Sequence, residues 1–382
     1  MRITVVTGFF LPVPARRGGA TERSWDGLAR IFAGAGHAVT FVSRRWPGLP
    51  DSEVRDGVTH LRLPGFDHSR RLPVNLLRDL RWGIRVARAL PAGDVVICNT
   101  VTLPAWLPWL QSSSGQVATM IGRVPKGQVP FYRRVRRIYV PSSDLASQIA
   151  PEWARRITRV IGYPIDWDRQ AQAAAQARAP LTIGYIGRIH PEKGLGVLVE
   201  AAAILARRTD LPEWRLRLVG PVDVSAGGGG EAWAAGLRSA AAPLGARIEW
   251  GPPEFDPDRL AQLYGKLDIF CYPSVADQGE TFGVGVAEAM AARCAVVVSA
   301  LPCFRDLVTP GETGLTFHHA GADAAERLAG ELARLLLDPA LCRRLAERGQ
   351  AHVRRFAYPE VARTILADLA VLAGASAEKP LD

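Results

Sequence analysis

The chain has 382 residues, 48% of them hydrophobic and 22% charged, with 47 Lys+Arg against 37 Asp+Glu. Its length exceeds the roughly 250 residues at which a single core stops growing, so two domains are expected, and the apolar fraction excludes a wholly disordered chain. Divided at Tyr163, the first part has 24 Lys+Arg and 10 Asp+Glu, a net +14, and the remainder has 23 and 27, a net −4; the imbalance points the first part towards an anionic partner or surface.

The opening Met1-Arg2-Ile3-Thr4-Val5-Val6-Thr7-Gly8 lacks the roughly 7–15-residue apolar core of a signal peptide and reads as a buried strand. A helical pattern follows over Thr21–Gly36, then strands over His37–Ser43, Asp94–Cys98 and Arg137–Val140. The apolar stretch Val95–Leu110 is interrupted by Asn99, Thr100, Pro104 and Pro108, short of the roughly 20 clean residues a membrane span needs, so a soluble cytoplasmic protein is expected. After Tyr163 the rhythm restarts: strands at Leu181–Tyr185, Arg215–Val219, Arg247–Trp250, Ile269–Tyr272 and Ala295–Val298 alternate with helices at Leu195–Arg207, Glu231–Ala242, Pro257–Leu267, Val284–Ala292 and Ala324–Leu337. Strand, helix and strand at this pace require parallel sheets with crossover helices, and two such halves describe a bilobal enzyme. The run Gly227–Gly230 reads as a mobile loop, and the tail Gly374–Asp382 as frayed. Cys98, Cys271, Cys294, Cys303 and Cys342 are scattered and odd in number, which argues against a disulfide framework or a structural zinc site.

Chemistry concentrates in the second half. In Gly279-Glu280-Thr281-Phe282-Gly283-Val284-Gly285-Val286-Ala287-Glu288, two carboxylates eight residues apart bracket a glycine turn that enters a helix near Gly283. The free N–H groups of that helix end would make a seat for phosphate, with Glu280 on the loop and Glu288 about one and a half turns in. Spacing alone leaves open a solvated loop Glu280 and an exposed helix Glu288. In Gly187-Arg188-Ile189-His190-Pro191-Glu192-Lys193-Gly194, the fork of Arg188 and the point charge of Lys193 suit a diphosphate whose charge rises as it leaves, although cations flanking a loop are often plain surface charges. His190 is the one histidine beside a motif. After the first strand, Arg16-Arg17-Gly18-Gly19-Ala20-Thr21 allows close backbone approach to a ligand, or equally a glycine turn capped by Thr21. No GxGxxG follows Ile3–Val6 and no GxxxxGK[ST] occurs, which disfavours nicotinamide and P-loop chemistry. Asp166-Trp167-Asp168 and Asp256-Pro257-Asp258 are formal DxD triplets, but the first falls in a linker and the second at a helix start, so no metal is expected there.

Glu280 and Glu288 in an E-x7-E frame, Gly187-Arg188 with Lys193-Gly194, Gly18-Gly19, the linker Gly162-Tyr163-Pro164-Ile165-Asp166 and Phe356-Ala357-Tyr358 before a last helix together resemble retaining glycosyltransferases of family 4. The resemblance spans nearly the whole chain and implies a GT-B fold: two Rossmann-like α/β lobes, an acceptor-binding lobe over 1–163, a nucleotide-sugar-binding lobe over 164–355, and a helix and tail over 356–382 returning to the first lobe. By position it implies that Arg188 and Lys193 hold the donor diphosphate, Glu288 the ribose hydroxyls, and Glu280 with the Phe282–Val284 backbone the transferred sugar and phosphate. Gly18, Gly19 and Gly187 would approach the donor closely. Catalysis would rest on Arg188, Lys193 and Glu280, with a UDP- or GDP-sugar as co-substrate and neither cofactor nor metal. In the mechanism usually drawn for the family the leaving phosphate oxygen takes the acceptor proton on the same face; a covalent intermediate at Glu280 is the alternative. The match is poorer in the first lobe, where Thr119-Met120-Ile121-Gly122 places Ile121 at a position that many members fill with histidine.

Arg123, Lys126, Arg133, Arg134, Arg136 and Arg137, interleaved with Val129, Phe131, Tyr132 and Val135, read either as a segment lying on an anionic bilayer at the inner membrane face, with Trp106 and Trp109 as anchors, or as an ordinary helix with solvated arginines. Nucleic acid is disfavoured because no recognised binding module accompanies the charge. The acceptor is a glycan, a glycolipid or a small metabolite. Rival functions on the same fold are a nucleotide-sugar epimerase, a phosphorylase, or a non-catalytic sugar-binding scaffold.

Overall fold

The computed structural model describes residues 1–15, 19–110, 113–173 and 180–374. The chain divides into two compact units, one comprising Met1–Pro164 and the chain from Tyr358 onward, the other Ile165–Ala357. The divisions thus fall at 164/165 and 357/358, against the expected 163/164 and 355/356.

The first unit begins β1 (Arg2–Val6), α1 (Ala20–Gly34), β2 (Ala38–Arg44), β3 (Ser52–Arg55), β4 (Val58–Leu63), α2 (Leu72–Ala89), β5 (Val95–Cys98) and α3 (Leu103–Leu110). It continues with β6 (Gln116–Met120), β7 (Arg137–Val140), α4 (Ser143–Ser147), α5 (Glu152–Arg156) and β8 (Thr158–Val160). The strand order is β3-β4-β2-β1-β5-β6-β7-β8, parallel except for the β3–β4 hairpin. β5 and β7 are buried at every residue, as befits Val- and Ile-rich strands covered on both faces. α1 meets the sheet through Trp25, Leu28, Ala29 and Phe32, one stripe of a 3.6-residue period. Sequence periodicity missed β3 and β4. They are joined by Asp56-Gly57, both at positive φ (51° and 77°), the pairing that a tight hairpin turn requires.

The second unit runs α6 (Trp167–Ala173), β9 (Leu181–Ile186), α7 (Leu195–Ala206), β10 (Trp214–Val219), α8 (Glu231–Ala241), β11 (Ile248–Gly251), α9 (Pro257–Tyr264), β12 (Ile269–Tyr272), α10 (Val284–Ala291), β13 (Ala295–Ser299), β14 (Leu315–Phe317), α11 (Ala324–Leu337) and α12 (Pro339–Val353). Its parallel sheet has the order β11-β10-β9-β12-β13-β14. The last helix, α13 (Tyr358–Gly374), belongs to the first unit: it buries Val361, Ile365 and Leu369, and its Asp368 accepts from Arg137 Nε at 2.6 Å and Tyr139 Oη at 2.9 Å.

Several local expectations change. Gly227–Gly230 is not a loose loop: all four N–H groups donate to backbone carbonyls, of Val224, Asp223, Ile189 and Val222 respectively. The basic segment 123–137 is no helix; it forms a short 3-10 turn over Val129–Phe131 and then leads into β7. Val129, Tyr132 and Val135 pack inward, Phe131 is exposed, and Arg137 is buried against Asp368. Thr21 does not cap α1, which starts after Gly19 without a side-chain cap. All five cysteines are free and buried. The expected frayed tail beyond Gly374, with Arg16, Arg17 and Gly18, lies outside the described residues. Among the described residues, no helix is long and apolar enough to cross a membrane.

Candidate functional site

In the second unit the chain leaves β9 for β10 and β11 on one side and returns through β12, β13 and β14 on the other. The carboxyl ends of the neighbours β9 and β12 therefore form a topological switch point, where open α/β sheets bind ligands. Both sequence motifs sit there.

The loop after β9 and the loop after β12 are tied together. Val275 N–H donates to Glu192 O at 2.9 Å, and Ser274 Oγ lies 3.2 Å from the same oxygen. Gly194 has φ 66°, and a Cβ there would stand 1.9 Å from Pro273 O, so the approach of the two loops admits only glycine. Between them Lys193 Nζ is ion-paired with Glu280 Oε1, the two side chains being 8% and 9% exposed. Tyr272 Oη and Ser274 Oγ donate to that same Oε1 at 3.0 and 3.2 Å. Three donors converge on Oε1 and none of them on Oε2. Glu280 is thus no solvated loop residue. A buried ion pair with further hydrogen bonds satisfies the condition under which such charges are tolerated. Tyr272 stacks on Tyr185 with centroids 5.7 Å apart. Burial first, and then the Glu280 charge, hold the Tyr272 phenol well above its ordinary range, fixing it as a donor.

Arg188 stands at the outer end of the same network. Its guanidinium donates to Glu192 Oε1 at 2.5 Å and to Gly227 O at 3.0 Å, so the ordered glycine loop positions it. Glu192 Oε1 also lies 3.8 Å from Lys193 Nζ, which makes Glu192 the carboxylate shared by both cations. Burial raises its pKa, but the charges of Arg188 and Lys193 and the Arg188 hydrogen bond outweigh that and bring it below the ordinary value. His190 caps the short turn through Glu192 N–H, at 3.3 Å.

α10 begins after Gly283 at φ 88°, with no side chain capping its amino end. A Cβ at Gly283 would stand 2.6 Å from Phe304, so the bare helix end is enforced by packing. Phe282 is buried, edge-on to Phe356 at 5.0 Å. Glu288, on α10, accepts from Tyr264 Oη at 3.2 Å and is half-buried. Further along the same carboxyl edge, past the ends of β10 and β11, a recess of about 540 Å³ is lined by Val222, Ala226, Trp250, Pro252 and Phe255, among others.

Sequence reasoning missed Glu192, Tyr272, Ser274 and Tyr264. Glu192 had a signal, its four-residue spacing from Arg188 inside the motif; the tyrosines read only as ends of apolar runs. Of the first-unit residues, Gly18 is outside the described ones and Gly19 is the residue before α1. Ile121 is 5% exposed in the apolar core with Val6, Phe9 and Val140, and offers no proton acceptor. The DxD triplets are joined by a cation of the chain itself: Arg169 reaches Asp166 at 2.7 Å and Asp258 at 2.9 Å, while Asp256 caps α9. Among the described residues no three His, Cys, Asp or Glu side chains cluster to hold a metal ion.

Residues 168–352 match the family model described as glycosyl transferases group 1. The match takes in 185 of the 382 residues. The phosphatidyl-myo-inositol mannosyltransferase of Mycobacterium tuberculosis is 32% identical over 244 residues, covering 62% of this chain and 60% of the relative. The chain thus spans about 60% of that relative's length in the match. The Mycolicibacterium smegmatis protein of the same name aligns at 25% identity over 98% of this chain and 95% of its own. Among solved structures, sucrose-phosphate synthase from Thermosynechococcus elongatus superposes with a TM-score of 0.75 at 21% identity, covering 98% of this chain and 100% of that one. The shared fold is GT-B, and membership of family 4 is consistent with it.

Proposed function

We propose that this chain moves a sugar from a UDP- or GDP-linked donor to an acceptor hydroxyl with retention of configuration. The observation that carries the reading is the buried Lys193–Glu280 pair at the β9/β12 switch point, in the loops that flank the bare amino end of α10. The donor diphosphate lies at that helix end, with Lys193 and Arg188 as counter-charges, and Glu288 holds the ribose hydroxyls. The recess beside Trp250 and Phe255 suits the base. Glu280 orients Lys193 and presents Oε2 to the sugar. In the reacting step the anomeric C–O bond to the diphosphate breaks, and the departing phosphate oxygen accepts the acceptor's hydroxyl proton. The acceptor oxygen bonds to the anomeric carbon on the same face. Charge on the diphosphate peaks in that step, so Lys193 and Arg188 act chiefly on the transition state. Neither a metal nor a cofactor enters this scheme.

For the first unit, whose 26 Lys+Arg against 14 Asp+Glu leave a net +12, the balance supports an anionic acceptor or a peripheral contact with the cytoplasmic membrane face. The mycobacterial relatives are named for transfer to a phosphatidyl-inositol, which points the same way. The test is incubation with UDP-, GDP- and ADP-sugars, with and without phosphatidylinositol, soluble glycans or small polyols, reading free nucleoside diphosphate. Release that an acceptor accelerates is the expected result; none from any donor sinks the proposal. Interconverted donor without nucleotide release would mark an epimerase, sugar phosphate a phosphorylase, and binding without turnover a scaffold.

A further inference from the structure

The three donors to Glu280 all converge on Oε1, so the direction of Oε2 is set by where the backbone holds residue 280. That backbone belongs to the loop between β12 and α10, whose two ends are fixed: Val275 N–H donates to Glu192 O at 2.9 Å, and Phe282 packs edge-on to Phe356. Between them the chain turns over 276–279, where Gly279 N–H donates to Ala276 O at 3.2 Å. Asp277 stands in this turn, 75% exposed, and its Oδ1 is 3.1 Å from His319 Nε2. A carboxylate only accepts, so Nε2 carries the proton.

His319 reaches the loop from beyond β13. β12, β13 and β14 run parallel, so the turn that follows β14 lies on the same carboxyl edge as the loop after β12. The His319 side chain is 16% exposed, and the turn that carries it is firmly built. Arg327 of α11 donates through Nε to His318 O at 3.0 Å and through its other nitrogens to Ala320 O and Asp323, while Gly321 takes φ 95°. A histidine fixed in its own turn thus grips the loop that delivers Glu280.

We infer that His319 is a positioning residue: through Asp277 it holds the loop over 276–281 in the arrangement that aims Glu280 Oε2 at the sugar. An exposed pair of this kind adds little to global stability, so its effect is confined to the loop. The inference rests on the proposed function only for what Oε2 meets, and the hold on the loop is read without turnover.

The experiment is hydrogen–deuterium exchange of the full chain as wild type, H319A, D277A, H319A/D277A and H319Q. Melting temperature, nucleoside diphosphate Kd and, with the best donor of the panel, kcat are read beside it. In H319A and in D277A the amides of 276–281 should exchange about fivefold faster and kcat should fall about fivefold, with Kd and melting temperature unchanged. The double variant should match either single one, because the two side chains act as one contact. H319Q, whose amide nitrogen takes the place of Nε2, should restore both exchange and kcat. Unchanged exchange in the single variants overturns the inference, as do additive effects in the double variant. Faster exchange in H319A that D277A does not share would confine His319 to the β14 turn and equally overturn it, and so would faster exchange at unchanged kcat. Turnover by no variant, wild type included, sinks the proposed function, while exchange still decides whether His319 holds the loop.

Discussion

Lys193 is the residue on which the proposed chemistry depends most. Its ammonium is buried, and among the described residues Glu280 and Glu192 are the two carboxylates within 4 Å. If it stabilises the leaving diphosphate, K193A lowers kcat about a hundredfold or more while the donor KM moves little, because the interaction is strongest in the transition state. Steady-state kinetics with the best donor of the panel checks this; a raised KM at constant kcat would make Lys193 a binding residue only. Y272F removes one of three donors to Glu280 Oε1 and keeps the ring stack, so kcat should fall about fivefold with the fold intact. Lys193 and Glu280 were legible in sequence because glycines at 194 and 283 mark where backbone approaches closely. The partners that make the pair tolerable, Tyr272 and Ser274, were not, since their contact with Glu280 exists only once β12 ends at the switch point.

At the scale of elements, the β3–β4 hairpin shows where periodicity runs out. Its strands are short and its outer strand is half-exposed, so the alternation is weak, and only Asp56-Gly57 announced a turn. The hairpin places His60 in the core, stacked on Phe41 at 5.8 Å, with Arg55, Arg62, Glu53 and Asp56 as the charged groups around it. Burial first, then Arg55 and Arg62, push the imidazole down to about 4, against partial opposition from Glu53 and Asp56. The folded chain thus holds a neutral ring that the unfolded chain protonates below about pH 6.5. The sign follows: His60's contribution is complete above about pH 6.5 and is lost as pH falls towards 4, a total of roughly 3 kcal/mol. An NMR titration should find no His60 midpoint above pH 5, and H60Q should flatten the decline in first-unit stability over that interval. A midpoint near the ordinary value would refute the assignment. The glycine run 227–230 teaches the converse lesson, because composition reads as freedom where four backbone hydrogen bonds impose order. G228A would set a Cβ 2.1 Å from Val222 O, and it should release Arg188 and raise the donor KM several-fold at unchanged kcat.

At the scale of the molecule, the chain's two ends build one unit. The linker and the return crossing meet where Ile165 N–H donates to Phe356 O at 2.8 Å, after which α13 completes the first unit. The alternation of strands and helices made two α/β units legible, but nothing in the pattern near Arg137 foretold a partner 231 residues away in Asp368. That pair is 9% and 18% exposed, and Tyr139 shares the same carboxylate oxygen. D368A would leave a buried guanidinium and a phenol without their acceptor, a loss of roughly 3 kcal/mol. For a unit of this size, that lowers the melting temperature by roughly 6–12 °C. The second unit shares no residue with the pair and should keep its transition, since distant sites act additively. Calorimetry of D368A should therefore show one transition moving down and one unmoved, and R137M/D368L should recover part of the loss, Tyr139 alone remaining unpaired. If both transitions shift together, the two units unfold as one, and stability cannot be assigned unit by unit.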